Sequence, residues 1–275
     1  MPESPGSGVR FPGAYQSFTG SHGREGTATF TVLNPDTPRL APALPTAYRW
    51  SSDIWRMGES ESGALVVEIH DVVHARWIPV VHAAPDFQSG ILQPFAGRRG
   101  EPSPFALNYP YDQVLLTNLL ANSGVVVLHA ASVIIDGKGI AFGGRSGIGK
   151  TTLSRLCRDA GATLLNDDRC ALYFRDGVPW VCPTPWHGEE PEINNQHAPL
   201  AAMLHLDQGP SNQLTPLDEV SALSSLLATG IAPFYRKDGL ENVLDSMEQV
   251  LAHVPSYRFS FAPTPAAAEL LQGQV

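Results

Sequence analysis

Positive charge is scarce in this chain of 275 residues: Lys and Arg number 18 against 27 Asp and Glu, a formal net charge of −9. That balance argues against holding DNA or RNA by general phosphate neutralisation, so no nucleic-acid partner is expected. It leaves room for a local cationic pocket that takes one nucleotide. Cysteine is rarer still. Cys157, Cys170 and Cys182 form an odd set with no CxxC spacing, which suggests neither a zinc site nor a disulfide framework and fits a reducing compartment. No apolar run approaches the ~18 residues of a membrane span. The opening Met1-Pro2-Glu3-Ser4-Pro5-Gly6 lacks the basic-then-apolar pattern of a secretory signal. The expectation is a cytoplasmic protein with no membrane partner. Hydrophobic residues, at 43%, are plentiful enough for a sizeable core, and charged residues are only 16%.

Composition and periodicity divide the chain into three regions. Residues 1–26 are rich in Gly, Ser and Pro and read as a flexible arm. Residues 27–105 read as a smaller, mostly β region, with strands at Thr27–Leu33, Ala64–His70 and Ala75–His82 and turn chemistry at Asn34–Pro38. A Gly/Pro/charged stretch, Gly97–Pro104, separates it from residues 106–275, which read as α/β. There, Tyr111–Ser123 shows helical spacing, Gly124–His129 and Ser132–Ile135 are β-branched runs, and Asp136–Gly139 is a hairpin turn. Further helices are predicted at Thr151–Asp159, Leu217–Thr229 and Leu240–His253, and strands at Thr163–Leu165, Cys170–Phe174, Ala202–Leu206 and Tyr257–Pro263.

The most specific signal is Gly144-Arg145-Ser146-Gly147-Ile148-Gly149-Lys150-Thr151, which meets G-x-x-x-x-G-K-[ST] at every fixed position. A chance match in a chain of this length is on the order of one in a hundred. Glycines let successive N–H groups turn inward around a polyphosphate, and the helix that begins at Thr151-Thr152 offers its positive end. Lys150 would reach the β- and γ-phosphates, and the Thr151 hydroxyl would hold Mg²⁺. Such a loop needs an acidic partner at the end of a neighbouring strand. Asn166-Asp167-Asp168 supplies two carboxylates there, one to bind Mg²⁺ through water and one to accept a proton from an attacking hydroxyl. By chemistry alone, His129 on its apolar strand reads as a satisfied core residue.

His129, the hairpin, the loop and Leu164–Asp168 occur in an order that resembles the catalytic domain of the bacterial HPr kinase/phosphorylase family. The fold of that domain is related to that of phosphoenolpyruvate carboxykinase. The resemblance covers about residues 110–265. It implies an α/β P-loop kinase core, ATP and Mg²⁺ as cofactors, and Asp168 as the base that deprotonates a serine hydroxyl. It also implies that Asp167 supports the metal or the attacking geometry and that His129 positions the aspartate or the phosphoryl group. The family's downstream E-x-R-G-x-G-like segment is absent, and Thr184–Glu190 stands in its place. That segment looks like the pattern of divergent relatives, and there Glu189 is the expected second Mg²⁺ ligand, the alternative being a solvated loop. Arg236 is the expected arginine on the transferring phosphate, the alternative being an ordinary surface arginine.

The implied activity is transfer of the γ-phosphate to a hydroxyl, a serine of a peptide or small protein being the expected acceptor. A small-molecule kinase acting on free serine and a non-catalytic ATP-sensing module are the alternatives. Since the family assembles as hexamers, a homo-oligomer is also brought into consideration.

Overall fold

A computed structural model describes residues 28–33, 45–93, 110–190 and 194–274. The expected arm at 1–26, the turn at Asn34–Pro38 and the separator at Gly97–Pro104 lie outside them. The chain forms two compact units, divided after Leu119.

The first unit is built on one sheet of six strands: β1 (Thr29–Val32), β2 (Ala47–Ser51), β3 (Trp55–Glu59), β4 (Leu65–Asp71), β5 (Arg76–Ala83) and β6 (Ser89–Leu92). Their spatial order is β1-β6-β5-β4-β3-β2. Met57, Val67, Ile69, Val80 and Phe87 form its buried interior. Glu68 is buried on β4 but paired with Arg56 at 2.8 Å, and the Arg56 guanidinium lies over the rings of Tyr48 and Trp77. The pairing offsets the cost of burying the carboxylate.

The division between units falls within helix α1 (Tyr111–Asn122). Beyond it come β7 (Val126–Leu128), β8 (Ala130–Ile135), β9 (Lys138–Gly143), helix α2 (Lys150–Asp159) and β10 (Thr163–Asn166). Next are β11 (Cys170–Arg175), β12 (Val178–Pro183), β13 (Ala198–Gln208) and β14 (Gln213–Pro216). Helix α3 (Glu219–Thr229), β15 (Gly230–Ile231), helix α4 (Lys237–His253), β16 (Ser256–Phe261) and helix α5 (Pro265–Gln274) complete the chain. β8 and β9 form a hairpin closed at Asp136-Gly137. β13 is the long member: it begins beside β12, then runs parallel to both β9 and β16.

Alternation along these strands sends side chains to two cores. Val133, Phe142, Leu204, Leu206 and Phe259 pack with Leu153 of α2 and Leu271 of α5. Val126, Leu128, Leu172, Met203 and Val181 pack with Leu226 of α3 and Val243 and Met247 of α4. Cys157 and Cys170 lie in these cores, and burial pushes the Cys157 thiol up to about 12 and the Cys170 thiol higher still. Both are therefore protonated, inert packing groups. Among the described residues no helix is long and apolar enough to cross a membrane.

Strand direction places the site. β9, β13 and β16 are mutually parallel, and β10 and β9 are each antiparallel to β8. The C-terminal ends of β9, β10, β13 and β16 therefore share one edge of the sheet with the N-terminal start of β8. That edge carries Gly143, Asn166, Gln208 and Phe261, and His129 immediately precedes β8.

Candidate active site

β9 delivers the chain into the loop Gly144–Gly149 at this edge, and α2 leaves from it. Ile148 is buried and anchors the loop in the core, while Arg145, Ser146 and Gly147 are exposed. Gly149 closes the loop onto the helix with φ +113°, and a Cβ there would lie 2.8 Å from the Phe261 ring. Only glycine fits both conditions. No side chain caps α2 and no acidic residue occupies its first turn, where Lys150, Thr151 and Thr152 lie. The helix thus presents uncapped N–H groups and its positive end to an anion at the loop. Lys150 is buried and its Nζ donates to the Gly144 carbonyl at 3.2 Å across the loop. Burial lowers its pKa, and the carboxylates of Asp168 and Asp167 oppose that shift.

β10 ends at Asn166, whose side chain fixes the two residues after it. Its Nδ2 donates to the carbonyls of Thr184 and Trp186, and its Oδ1 accepts from the backbone N–H groups of Asp168 and Arg169. The two aspartates diverge from this anchor. Asp167, 2% exposed, accepts Gly188 N–H on Oδ1 at 2.8 Å and Glu189 and Glu190 N–H on Oδ2 at 2.9 and 3.2 Å. The Thr151 hydroxyl donates to the same Oδ2 at 3.3 Å. Gly188 makes this cage close enough, since a Cβ there would stand 2.8 Å from Oδ2. Asp168 turns instead to His129, whose Nε2 lies 3.3 Å from Oδ1, and to Arg169, whose Nη1 donates to Oδ2 at 2.5 Å. The His129 backbone N–H is held by the Thr229 carbonyl at 2.7 Å. Desolvation lowers the His129 pKa, Lys150 and Arg169 push it further down, and Asp168 opposes them. The shift favours the neutral ring, which is able to donate a hydrogen bond from Nε2 to the carboxylate.

The structure therefore brings together the loop residues Gly144–Thr151, Asp167, Asp168 and His129. Two other expected site residues are engaged elsewhere. The Glu189 carboxylate pairs with Arg155 at 3.0 Å and is 72% exposed, so what this residue adds to the site is its backbone N–H on Asp167. Glu190 pairs with both Arg155 and Arg158, which ties the 188–190 segment to α2. Arg236 is 3% exposed, and its Nη2 donates to Asn122 Oδ1 and Asp238 Oδ2, each at 2.8 Å. Its guanidinium fastens the start of α4 to the end of α1.

Asn166 and Arg169 act at this site without having been singled out from the sequence. The Asn-Asp-Asp-Arg run at a strand end was the available signal. A cavity of about 680 Å³ opens beside the loop, lined by His129, Arg145, Ser146, Asp207, Thr229 and Arg258 among others. The Thr151 hydroxyl, oriented by Asp167 Oδ2, is a hard oxygen donor of the kind that suits Mg²⁺ completed by phosphate oxygens. Among the described residues no group of three or more His, Cys, Asp or Glu is arranged to hold a metal ion. A Mg²⁺ shared between one or two protein oxygens and a polyphosphate needs none.

No protein-family model matches the chain, and no curated protein matches it. Among solved structures, it is similar to the Hpr(Ser) kinase/phosphatase from Coxiella burnetii, at 17% identity and a TM-score of 0.33, over 54% of this chain and 94% of that one. The geometry of the site stands on this chain's own residues.

Proposed function

We propose that the protein is an ATP- and Mg²⁺-dependent kinase that transfers the γ-phosphate to a hydroxyl group, with a serine of a peptide or small protein as acceptor. The observation that carries this reading is the division of labour between two adjacent carboxylates. Asp167 is hydrogen-bonded to the hydroxyl of Thr151, while Asp168 is turned away to His129. A module that only binds nucleotide needs the first arrangement and has no use for the second.

In this reading the loop N–H groups and Lys150 hold the polyphosphate, Thr151 holds the metal, and Asp167 supports the metal by orienting the Thr151 hydroxyl. Mg²⁺, when bound, neutralises charge on the β- and γ-phosphates. Asp168 takes the proton as the acceptor O–H bond breaks. The acceptor oxygen bonds to the γ-phosphorus as the bond to the ADP oxygen opens. His129 and Arg169 fix the two oxygens of that carboxylate, so the base does not have to be oriented during the reaction. Asp168→Asn removes the proton acceptor with little change of shape. Transfer is expected to fall by ~10²–10⁴-fold, the usual worth of a general base, while Mg²⁺·ATP affinity is retained. Undiminished transfer in that variant would refute the assignment of the base. Loss of nucleotide binding would show that Asp168 serves the phosphate site.

A further inference from the structure

The arginines of this acidic protein are not evenly distributed between paired and unpaired. Among the described residues, Arg49, Arg56, Arg76, Arg155, Arg158, Arg169, Arg175 and Arg236 each pair with a carboxylate. Arg145 and Arg258 do not, and both line the same cavity beside the loop. Arg145 belongs to the loop itself. Arg258 comes from β16, outside the phosphate-binding motif.

The pairing of strands explains how Arg258 reaches the cavity. Gly143 on β9 is opposite His205 on β13, which is opposite Arg258 on β16, so the three stand in one row on one face of the sheet. Strands stand ~4.8 Å apart, which puts the Arg258 backbone ~10 Å from the strand that feeds the loop, close enough for a long side chain to face the loop. The neighbouring Leu206 and Phe259 point the other way, into the core. His205 in the same row also lines the cavity, and its Nδ1 is buried with no hydrogen-bond partner. A buried polar atom left in that state is costly unless a ligand or solvent meets it. Asp207, one step further along the face, is the acidic side chain on this wall and is exposed.

We infer that Arg258, with His205 beside it, forms an anion subsite separate from the nucleotide phosphates, and that the phosphate acceptor carries an anionic oxygen group near its reacting hydroxyl. A guanidinium presents its donors in a planar fork that suits a carboxylate or a phosphate. The subsite rests on the proposed nucleotide site, because Arg258 lines the same cavity as a loop taken to be filled by ATP.

The test keeps the loop filled. The full chain is saturated with Mg²⁺ and the non-hydrolysable analogue AMP-PNP, then titrated by calorimetry with inorganic phosphate and, separately, with succinate. One of the two is expected to bind at one site per chain, and Arg258→Gln is expected to weaken it roughly tenfold or more, the worth of a hydrogen bond to a charged group. AMP-PNP affinity and melting temperature should be the same in that variant as in the parent, since Arg258 is exposed and outside the loop. Binding of phosphate alone points to a phosphorylated acceptor, and binding of succinate alone to a carboxylate-bearing one. The inference is overturned if neither anion binds, or if Arg258→Gln binds as the parent does. Failure of AMP-PNP itself to bind would overturn the nucleotide reading, and the subsite with it.

Discussion

Replacing Asp167 by Asn tests how the loop and the strand end are joined. Oδ1 accepts one backbone N–H and Oδ2 accepts two together with the Thr151 hydroxyl, all without bulk solvent, because the residue is 2% exposed. An asparagine keeps one acceptor oxygen. With its amide nitrogen at the Oδ2 position, two backbone donors would face a donor. With the nitrogen at the Oδ1 position, only Gly188 N–H does so, and this less costly orientation is the one expected. It loses one charge-assisted hydrogen bond, strands one buried donor and weakens the remaining bonds. Taking ~1.5–3 kcal/mol for the bond and ~1–3 kcal/mol for the stranded donor, the loss of stability should be ~2.5–6 kcal/mol. Urea unfolding followed by tryptophan fluorescence reads this as a lower midpoint at unchanged slope. Trp186, whose carbonyl is held by Asn166, is a buried reporter close by. A loss below ~1 kcal/mol would be smaller than one charge-assisted hydrogen bond and would refute the cage.

The same geometry sets three further outcomes. His129 should titrate below the ordinary 6.5 in an NMR experiment; Asp168→Asn should lower its midpoint further and Lys150→Met should raise it. Because the unfolded chain then takes up the His129 proton more readily than the native one, stability should fall as pH drops through about 6.5, and His129→Gln should flatten that limb. Gly149→Ala forces a Cβ into the Phe261 ring at φ +113°, so nucleotide binding should be lost and stability reduced by ~1–3 kcal/mol. Arg236→Ala should destabilise the protein by ~1–3 kcal/mol through the lost contacts to Asn122 and Asp238, with Mg²⁺·ATP affinity unchanged by calorimetry; a selective loss of nucleotide affinity would return Arg236 to the phosphate site.

The parts of the site that depend on neighbours in sequence were legible in the sequence. The loop motif is local, since its glycines and Lys150 act within one turn of each other, and the Asp167-Asp168 pair falls where a short apolar run ends. Residues that act through distant contacts were harder to read. Glu189 was expected to serve through its carboxylate, yet Asp167 is caged by backbone N–H groups that any residue carries. Arg236 was expected on the transferring phosphate, or else as a surface arginine, and is instead buried, with Asn122 and Asp238 satisfying it. His205 and Arg258 sit on strands whose alternation looks like an ordinary outward face, and only the pairing of β9, β13 and β16 puts them beside the loop. Among the strands, β12 escaped notice because Pro179 and Pro183 argue against a paired strand. β2, β3, β6 and β14 are each five residues or shorter and bring little periodicity of their own. β13 was expected over 202–206 and runs over 198–208, extended by partners at both ends.

The central claim is phosphoryl transfer to a hydroxyl. The most direct measurement is incubation with Mg²⁺ and γ-labelled ATP in the presence of a serine-ended peptide, free serine or HPr, with the label followed by mass spectrometry. Label is expected on a serine hydroxyl of one of these and should be lost in Asp168→Asn. Bound Mg²⁺·ATP that stays intact beside every acceptor would contradict the claim.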